Sequence, residues 1–388
     1  MEKKDKNLNV PNLRFPEFSG EWEKCKVSGL LDFYSTNSLA WEQLEYGVRG
    51  LKNLHYGLIH NGLSTCVDVD AADLPTIKES HVPKKYTLCK EGDVAFADAS
   101  EDTNDVAKCV EFTNCAENSI VCGLHTIHGR DKSNKTVIGF KGYAFSAQSF
   151  RHQIRRLAQG TKIYSINSKN FSECYIGIPP KEEQSKIATL LSLIDQRIET
   201  QRKIIEKLES LIKGLCQKLT EQDNPNTALN ETLVCYSSTL QESSVQEAGD
   251  YPVYGATGIC GYTNAPEVDG DSILIIKDGA SVGITYYASS KYSAIGTLNR
   301  LVAKRGYSLR YLYYCLKVFN FAPYRTGLAI PHIYFRDYGK AKVWCPSLDE
   351  QHRIADALTK VEQKIAMEKS ILEQLYSQKR FLLQAMFI

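Results

Sequence analysis

The sequence predicts an α+β fold of two similar mixed globules, each closed by a long helix, with the two helices pairing antiparallel as a coiled coil. Three observations predict it. First, residues 179–217 return, without a gap, 167 positions later at 346–384. Pro179, Glu183, Gln184, Ile187, Ala188 and Leu191 fall on Pro346, Glu350, Gln351, Ile354, Ala355 and Leu358. A period this long exceeds the ~20–50 residues of a solenoid unit and means two domains of one design. Second, both copies carry apolar residues in 3-4 spacing, which is a coiled-coil seam. Third, the sequence upstream of each copy is rich in turns and short β-like runs.

The elements follow in chain order. Residues 1–178 form the first globule. Within it Glu91-Gly92-Asp93-Val94-Ala95-Phe96 reads as a turn entering a strand, and Asp269–Leu274 repeats it in the second half. Residues 179–221 form the first long helix, with the seam Ile187, Leu191, Ile194, Ile198, Ile205, Leu208, Ile212, Leu215 and Leu219. Gln222–Asn230 is polar, contains a proline and reads as a linker that opens the second globule, 222–345. Leu31, Tyr34 and Ser35 find counterparts there in Leu233, Tyr236 and Ser237. The second helix, 346–388, has the seam Ile354, Leu358, Val361, Ile365, Leu372, Leu375, Leu382 and Met386. A polar residue interrupts each seam at the matching place, Gln201 and Glu368. Both helices begin after prolines with acids in the first turn, where the helix dipole favours them.

A chain of 388 residues with 43% apolar content suits two ordinary cores. The net charge of +2 is uninformative, but its distribution is not. Residues 141–170 hold six cations (Lys141, Arg151, Arg155, Arg156, Lys162, Lys169) and no acid, and 269–345 hold eleven Lys or Arg against four Asp. Such stretches fit either a polyanion partner or a solvated mixed face. The twelve cysteines contain no C-x-x-C pair, and Cys109, Cys115 and Cys122 match no zinc spacing, so no metal site is expected. The opening MEKKDKNLNV is hydrophilic, so no signal peptide is expected, and no apolar run approaches the ~20 residues of a membrane span. Free thiols without export point to the cytoplasm.

Two strings carry a family resemblance. Val10-Pro11-Asn12-Leu13-Arg14-Phe15-Pro16-Glu17-Phe18-Ser19-Gly20-Glu21-Trp22 closely resembles the start of specificity subunits of type I restriction-modification enzymes. So does the paired P-x-x-[DE]-E-Q-x-x-I-A helix opening, at Pro179–Ala188 with one extra proline and at Pro346–Ala355. The resemblance implies two similar α/β target recognition domains in a pseudo-twofold arrangement, separated by two long antiparallel spacer helices. It implies a non-catalytic, sequence-specific DNA-binding subunit that reads a bipartite, asymmetric double-stranded site. Adenine methylation would fall to two modification subunits docked on the helices, and ATP-driven restriction to further restriction subunits. S-adenosylmethionine, ATP and Mg would belong to those partners, with no cofactor, metal or catalytic residue in this chain. The residues agree: there is no G-x-x-x-x-G-K-[ST] loop, no N-P-P-[YF] string and no nuclease carboxylate cluster. Asp223-Asn224-Pro225-Asn226 lacks the second proline and the aromatic, and reads as a turn.

Candidate DNA contacts follow from residue chemistry, since cations position on phosphates while Asn and Arg also read base edges. Lys277-Asp278-Gly279-Ala280-Ser281-Val282-Gly283 resembles the [RK]-x-G-x-x-G loop of these domains; Lys277, Gly279 and Gly283 would approach a phosphate, and a plain hairpin turn is the alternative. Asn299 suits an adenine edge and Arg300 a guanine or phosphate. Arg325, Thr326 and His332 lie in Tyr324–His332, which corresponds to the segment holding Lys162. In the first globule His125 and Arg130 occupy the position of the Thr297–Arg300 segment, and His125 could equally be a structural hydrogen bonder. Arg151, Arg155 and Arg156 suggest a basic helical face or a solvated one. Gln184, Ile187, Leu191 and Ile198, with Gln351, Ile354, Leu358 and Ile365, are expected to form the spacer and its docking surface. A free-standing bipartite DNA-binding regulator is the competing reading, and dependence on a methyltransferase partner separates the two.

Overall fold

Val94–Ala97 is a run of apolar residues, and all are buried, as the centre of a sheet covered on both faces requires. In the second half Ser272–Ile276 is likewise wholly buried. Around these strands the computed structural model, which describes residues 9–115, 119–327 and 329–388, builds two compact units. One comprises Met1–Gln201 with Ile371–Ile388, the other Arg202–Ser370.

In the first unit Val94–Ala97 lies in a five-stranded sheet ordered Leu31–Tyr34, Thr126–Asp131, Val94–Ala97, Cys109–Thr113, Cys66–Asp68. A four-stranded sheet beside it runs Ile120–Cys122, Lys52–Leu54, Thr76–Ile77, Leu44–Glu45. In the second unit the main sheet runs Leu233–Ser237, Leu298–Ala303, Ser272–Ile276, Thr285–Ala288. Its first three strands repeat those of the first unit in order and antiparallel sense. The polar linker ends sooner than its composition suggests. Thr227–Ala228 already pairs with Lys342–Val343, and Leu229 is fully buried.

Two helices bind these sheets, α1 (Lys181–Thr220) and α2 (Leu348–Ala385). In the first unit the opening of α1, through Ile187, Leu191, Ile194 and Ile198, shares a core with Leu375, Leu382 and Met386 from the end of α2. In the second unit Ile212 and Cys216, near the end of α1, share a core with Ile354, Leu358 and Ile365 from the start of α2. Within each unit the paired helix segments run antiparallel. Ion pairs flank it, Lys379 to Asp195 at 2.5 Å in the first unit and Lys369 to Glu209 at 2.6 Å in the second.

The repeated glutamines have a definite task. Gln184 is buried, accepts from the Val137 amide at 2.9 Å and donates to the Lys135 and Pro179 carbonyls. Its counterpart Gln351 accepts from the Ser308 amide at 2.9 Å and donates to the Pro346 carbonyl. Each side chain ties the first turn of a helix to its own globule.

Candidate nucleic-acid interface

In the second unit two loops meet. Lys277–Gly283 connects the antiparallel strands Ser272–Ile276 and Thr285–Ala288, so it is a hairpin turn. Tyr324–His332 lies against it, and Leu328 is outside the described residues. The Gly279 amide donates to the Pro331 carbonyl at 3.0 Å, and the Ile333 amide to the Lys277 carbonyl at 2.9 Å. His332 Nδ1 pairs with Asp278 Oδ1 at 2.7 Å, and Arg325 Nη2 donates to the Val282 carbonyl at 3.1 Å. Lys277, Gly279, Gly283, Arg325, Thr326 and His332 thus belong to one loop pair, with Arg325 and Thr326 exposed.

Thr326 and His332 bridge each other across that second loop, and Gln159 and Ser165 do the same 167 positions earlier. Gly160 and Gly327 open the two loops at φ +144° and +89°. A Cβ at Gly160 would lie 1.9 Å from the Ile163 carbonyl oxygen, and one at Gly327 would lie 2.3 Å from that of Ile330. Only glycine fits either place. Within the loops Ile163 and Ile330 are 63% and 58% exposed; exposed Lys162 directly precedes the first, and exposed Arg325 lies five residues before the second. Neither isoleucine stands out by residue type. Extending the register of the helix repeat back to these loops would have found them.

The remaining candidates separate. His125 is exposed, adopts φ +53° in its turn, and its Nδ1 lies 3.2 Å from Asp98 Oδ1. Arg300 packs over Tyr236 at 4.3 Å, and Arg130 over the matching Tyr34 at 4.6 Å. Arg130 is also held internally, with Nε and Nη2 on the Asp93 carboxylate at 2.8 and 2.7 Å. Burial would raise the Asp93 carboxyl, but His128 and Arg130 hold it below the usual carboxylate range.

Several expectations need correction. Asn299 is 5% exposed and its Oδ1 accepts from Ser237 Oγ at 3.1 Å, so the side chain is buried in the sheet and its acceptor oxygen is already engaged. Arg151 is half-buried and donates to the carbonyl of exposed Asn104, and burial lowers its guanidinium to about 10. Lys141 is buried 3.1 Å from Glu111. The basic stretch 141–170 therefore presents less charge than its letters suggest, mainly Arg155, Arg156, Lys162 and Lys169. Gln184, Ile187, Leu191, Ile198, Gln351, Ile354, Leu358 and Ile365 are all buried, so they build the spacer but cannot be the surface that docks a partner.

Residues 65–210 and 236–377, one stretch in each half, match the family described as the type I restriction modification DNA specificity domain. The chain belongs to that family. Among relatives of this specificity-domain protein, one from Mycoplasma genitalium named as a type I specificity subunit is 30% identical over 179 residues, 41% of this chain and 46% of that one. The specificity subunit of the type I restriction enzyme EcoprrI from Escherichia coli is 26% identical over 117 residues, 30% of this chain and 29% of that one. The chain thus spans about half, or less, of the length of these curated relatives. A crystal structure of the S subunit of a type I restriction-modification system from M. genitalium matches with a TM-score of 0.62 at 20% identity, covering 98% of this chain and 99% of that one. That likeness is one of fold. No helix among the described residues is long and apolar enough to cross a membrane.

Proposed function

We propose that this specificity-domain protein is the non-catalytic DNA-reading subunit of a cytoplasmic type I restriction-modification complex. Residues 1–178 and 222–345 act as target recognition domains, each reading one half of a bipartite, asymmetric double-stranded DNA site. Helices 179–221 and 346–388 are the spacer on which two modification subunits dock, and restriction subunits complete the assembly. S-adenosylmethionine, ATP and Mg serve those partners.

The observation that carries this reading is the repeated loop built on Gly160 and Gly327. Each globule presents one, with a cation and an exposed isoleucine, while the sequences around it differ. Repetition of the frame with divergence of the loops is what two unlike half-sites demand. Lys162, Arg155 and Arg156 in the first globule, and Lys277, Arg325 and His332 in the second, are the proposed phosphate and base contacts, with His125 and Arg300 beside them. Gly279, Gly283 and Thr326 shape the backbone of the second loop pair. For docking, the exposed apolar residues of the helices replace the buried seam: Leu193 and Phe381 in the first unit, Leu211 and Met367 in the second.

Co-expression with a modification subunit, followed by single-molecule methylation mapping, tests the proposal. The expected result is adenine methylation at a two-part motif with unrelated halves. A palindromic motif with identical halves, or no change in methylation when this chain is withdrawn, would overturn it.

A further inference from the structure

We propose that Cys89, Cys122 and His128 bind a thiophilic divalent cation, zinc by its chemistry. Far apart by zinc-motif standards, the three converge in the first unit. The sulfurs of Cys89 and Cys122 lie 3.5 Å apart, and with a ring nitrogen of His128 the ligand atoms all fall within 4.8 Å of one another. Tetrahedral bonds of ~2.3 Å would set two zinc-bound sulfurs about 3.8 Å apart, close to the spacing already present. The three residues are 7%, 2% and 0% exposed.

His128 is oriented as a metal ligand is. Its Nε2 donates to Asp93 Oδ2 at 2.8 Å, while Nδ1 is buried and makes no hydrogen bond. Ligating imidazoles are fixed in this way, one nitrogen on a carboxylate and the other on the metal. Asp93 is itself fixed, by Arg130 and by the Lys90 amide at 2.8 Å. Charge selects the cation. On binding, the two thiols release their protons to solvent and the His128 ring gives up the proton on Nδ1, so two thiolates with a neutral imidazole cancel a divalent ion. A monovalent copper ion would instead leave a net negative charge among Leu54, Ala95 and Ile120, the apolar surroundings of the cysteines. Three protein ligands leave one position for a further donor, a ligand number known for zinc.

The site would join two sheets. Cys89 is bonded through its amide to the Ile120 carbonyl at 2.9 Å, Cys122 ends a strand of the four-stranded sheet, and His128 sits in the five-stranded one. The cation would pin both ends of Gly123–Ile127, the segment whose turn at Leu124–His125 displays His125. Its consequence for DNA reading rests on the proposed function above; the metal site itself does not.

The test uses the full chain, purified without chelator from zinc-supplemented medium. Elemental analysis should find about one zinc per chain, falling by about tenfold or more in Cys89→Ser and in Cys122→Ser but not in Cys260→Ser. Cobalt(II) added to the metal-stripped chain should give a thiolate charge-transfer band that both variants lose. If a variant fails to fold, the wild-type chain still decides, because Cys89 and Cys122 should resist alkylation until a chelator is added. A wild-type chain without zinc or a cobalt band, or one whose native form holds a Cys89–Cys122 disulfide by mass spectrometry, would overturn the site. These readouts need no DNA, so failure of the DNA-reading proposal would leave them intact.

Discussion

Arg14 grips Glu183 through two hydrogen bonds of 2.7 Å, Nε to Oε1 and Nη2 to Oε2. The first residue belongs to the N-terminal string and the second to the helix opening, the two segments that carry the family resemblance. The same string places the Leu13 amide on the Ala385 carbonyl at 2.8 Å and packs Trp22 edge-on against Phe387. The N-terminal segment is therefore a clasp holding the start of α1 and the end of α2. Glu350, the counterpart of Glu183, is paired with Arg353 within its own helix.

Arg14→Ala should leave the Glu183 carboxylate, which has no exposed surface, without its counter-charge. The expected loss is about 3 kcal/mol, the low end for a broken buried pair, because Arg14 keeps an exposed edge. Urea denaturation measures it. Arg14→Lys should recover only part of that loss, since an ammonium cannot make both bonds in the same plane.

Gln184→Ala and Gln351→Ala should each destabilise their own unit by ~1–3 kcal/mol, by stranding the Val137 amide in one case and the Ser308 amide in the other. Hydrogen exchange separates the two. Protection should fall at Val137 only in the first variant and at Ser308 only in the second.

Gly160→Ala and Gly327→Ala should distort one loop each, at a cost of about 1–3 kcal/mol for forcing a side chain into that backbone. The sheets should stay folded by circular dichroism. On the proposed function, each variant should lose methylation through one half-site only, and equal loss from both variants at both halves would count against separate reading loops.

Lys162→Ala and Arg325→Ala should weaken DNA binding and lower the slope of log affinity against log salt by about one each. Asn299→Ala should behave differently. Its side chain is buried and its Oδ1 is engaged by Ser237, so the change should cost ~1 kcal/mol of stability and leave base preference alone. A changed motif in Asn299→Ala, mapped by methylation sequencing, would return that residue to the reading surface.

Much of this was legible in the sequence because it is periodic or duplicated. The 3-4 spacing placed the helices, since only one face of a helix can be buried and that face shows every turn. The same 167-residue register, carried back from the helices, sets Gly160 on Gly327, because the repeat carries the same backbone demand twice. Single residues were less legible, for a physical reason: a polar or charged side chain has the same letter whether it faces water or a buried partner. Asn299, Arg151 and Lys141 each looked like surface chemistry, and each is held by a partner on a distant strand, loop or turn, with Asn299 and Lys141 buried. The clasp of Arg14 on Glu183 and the meeting of Cys89, Cys122 and His128 were beyond any local pattern. Their ligands and charges come together only when sheet pairing brings remote segments into contact. The sequence by itself determined the duplication, the helices and the family; tertiary packing alone decided which polar residues are spent inside and which are left for a partner.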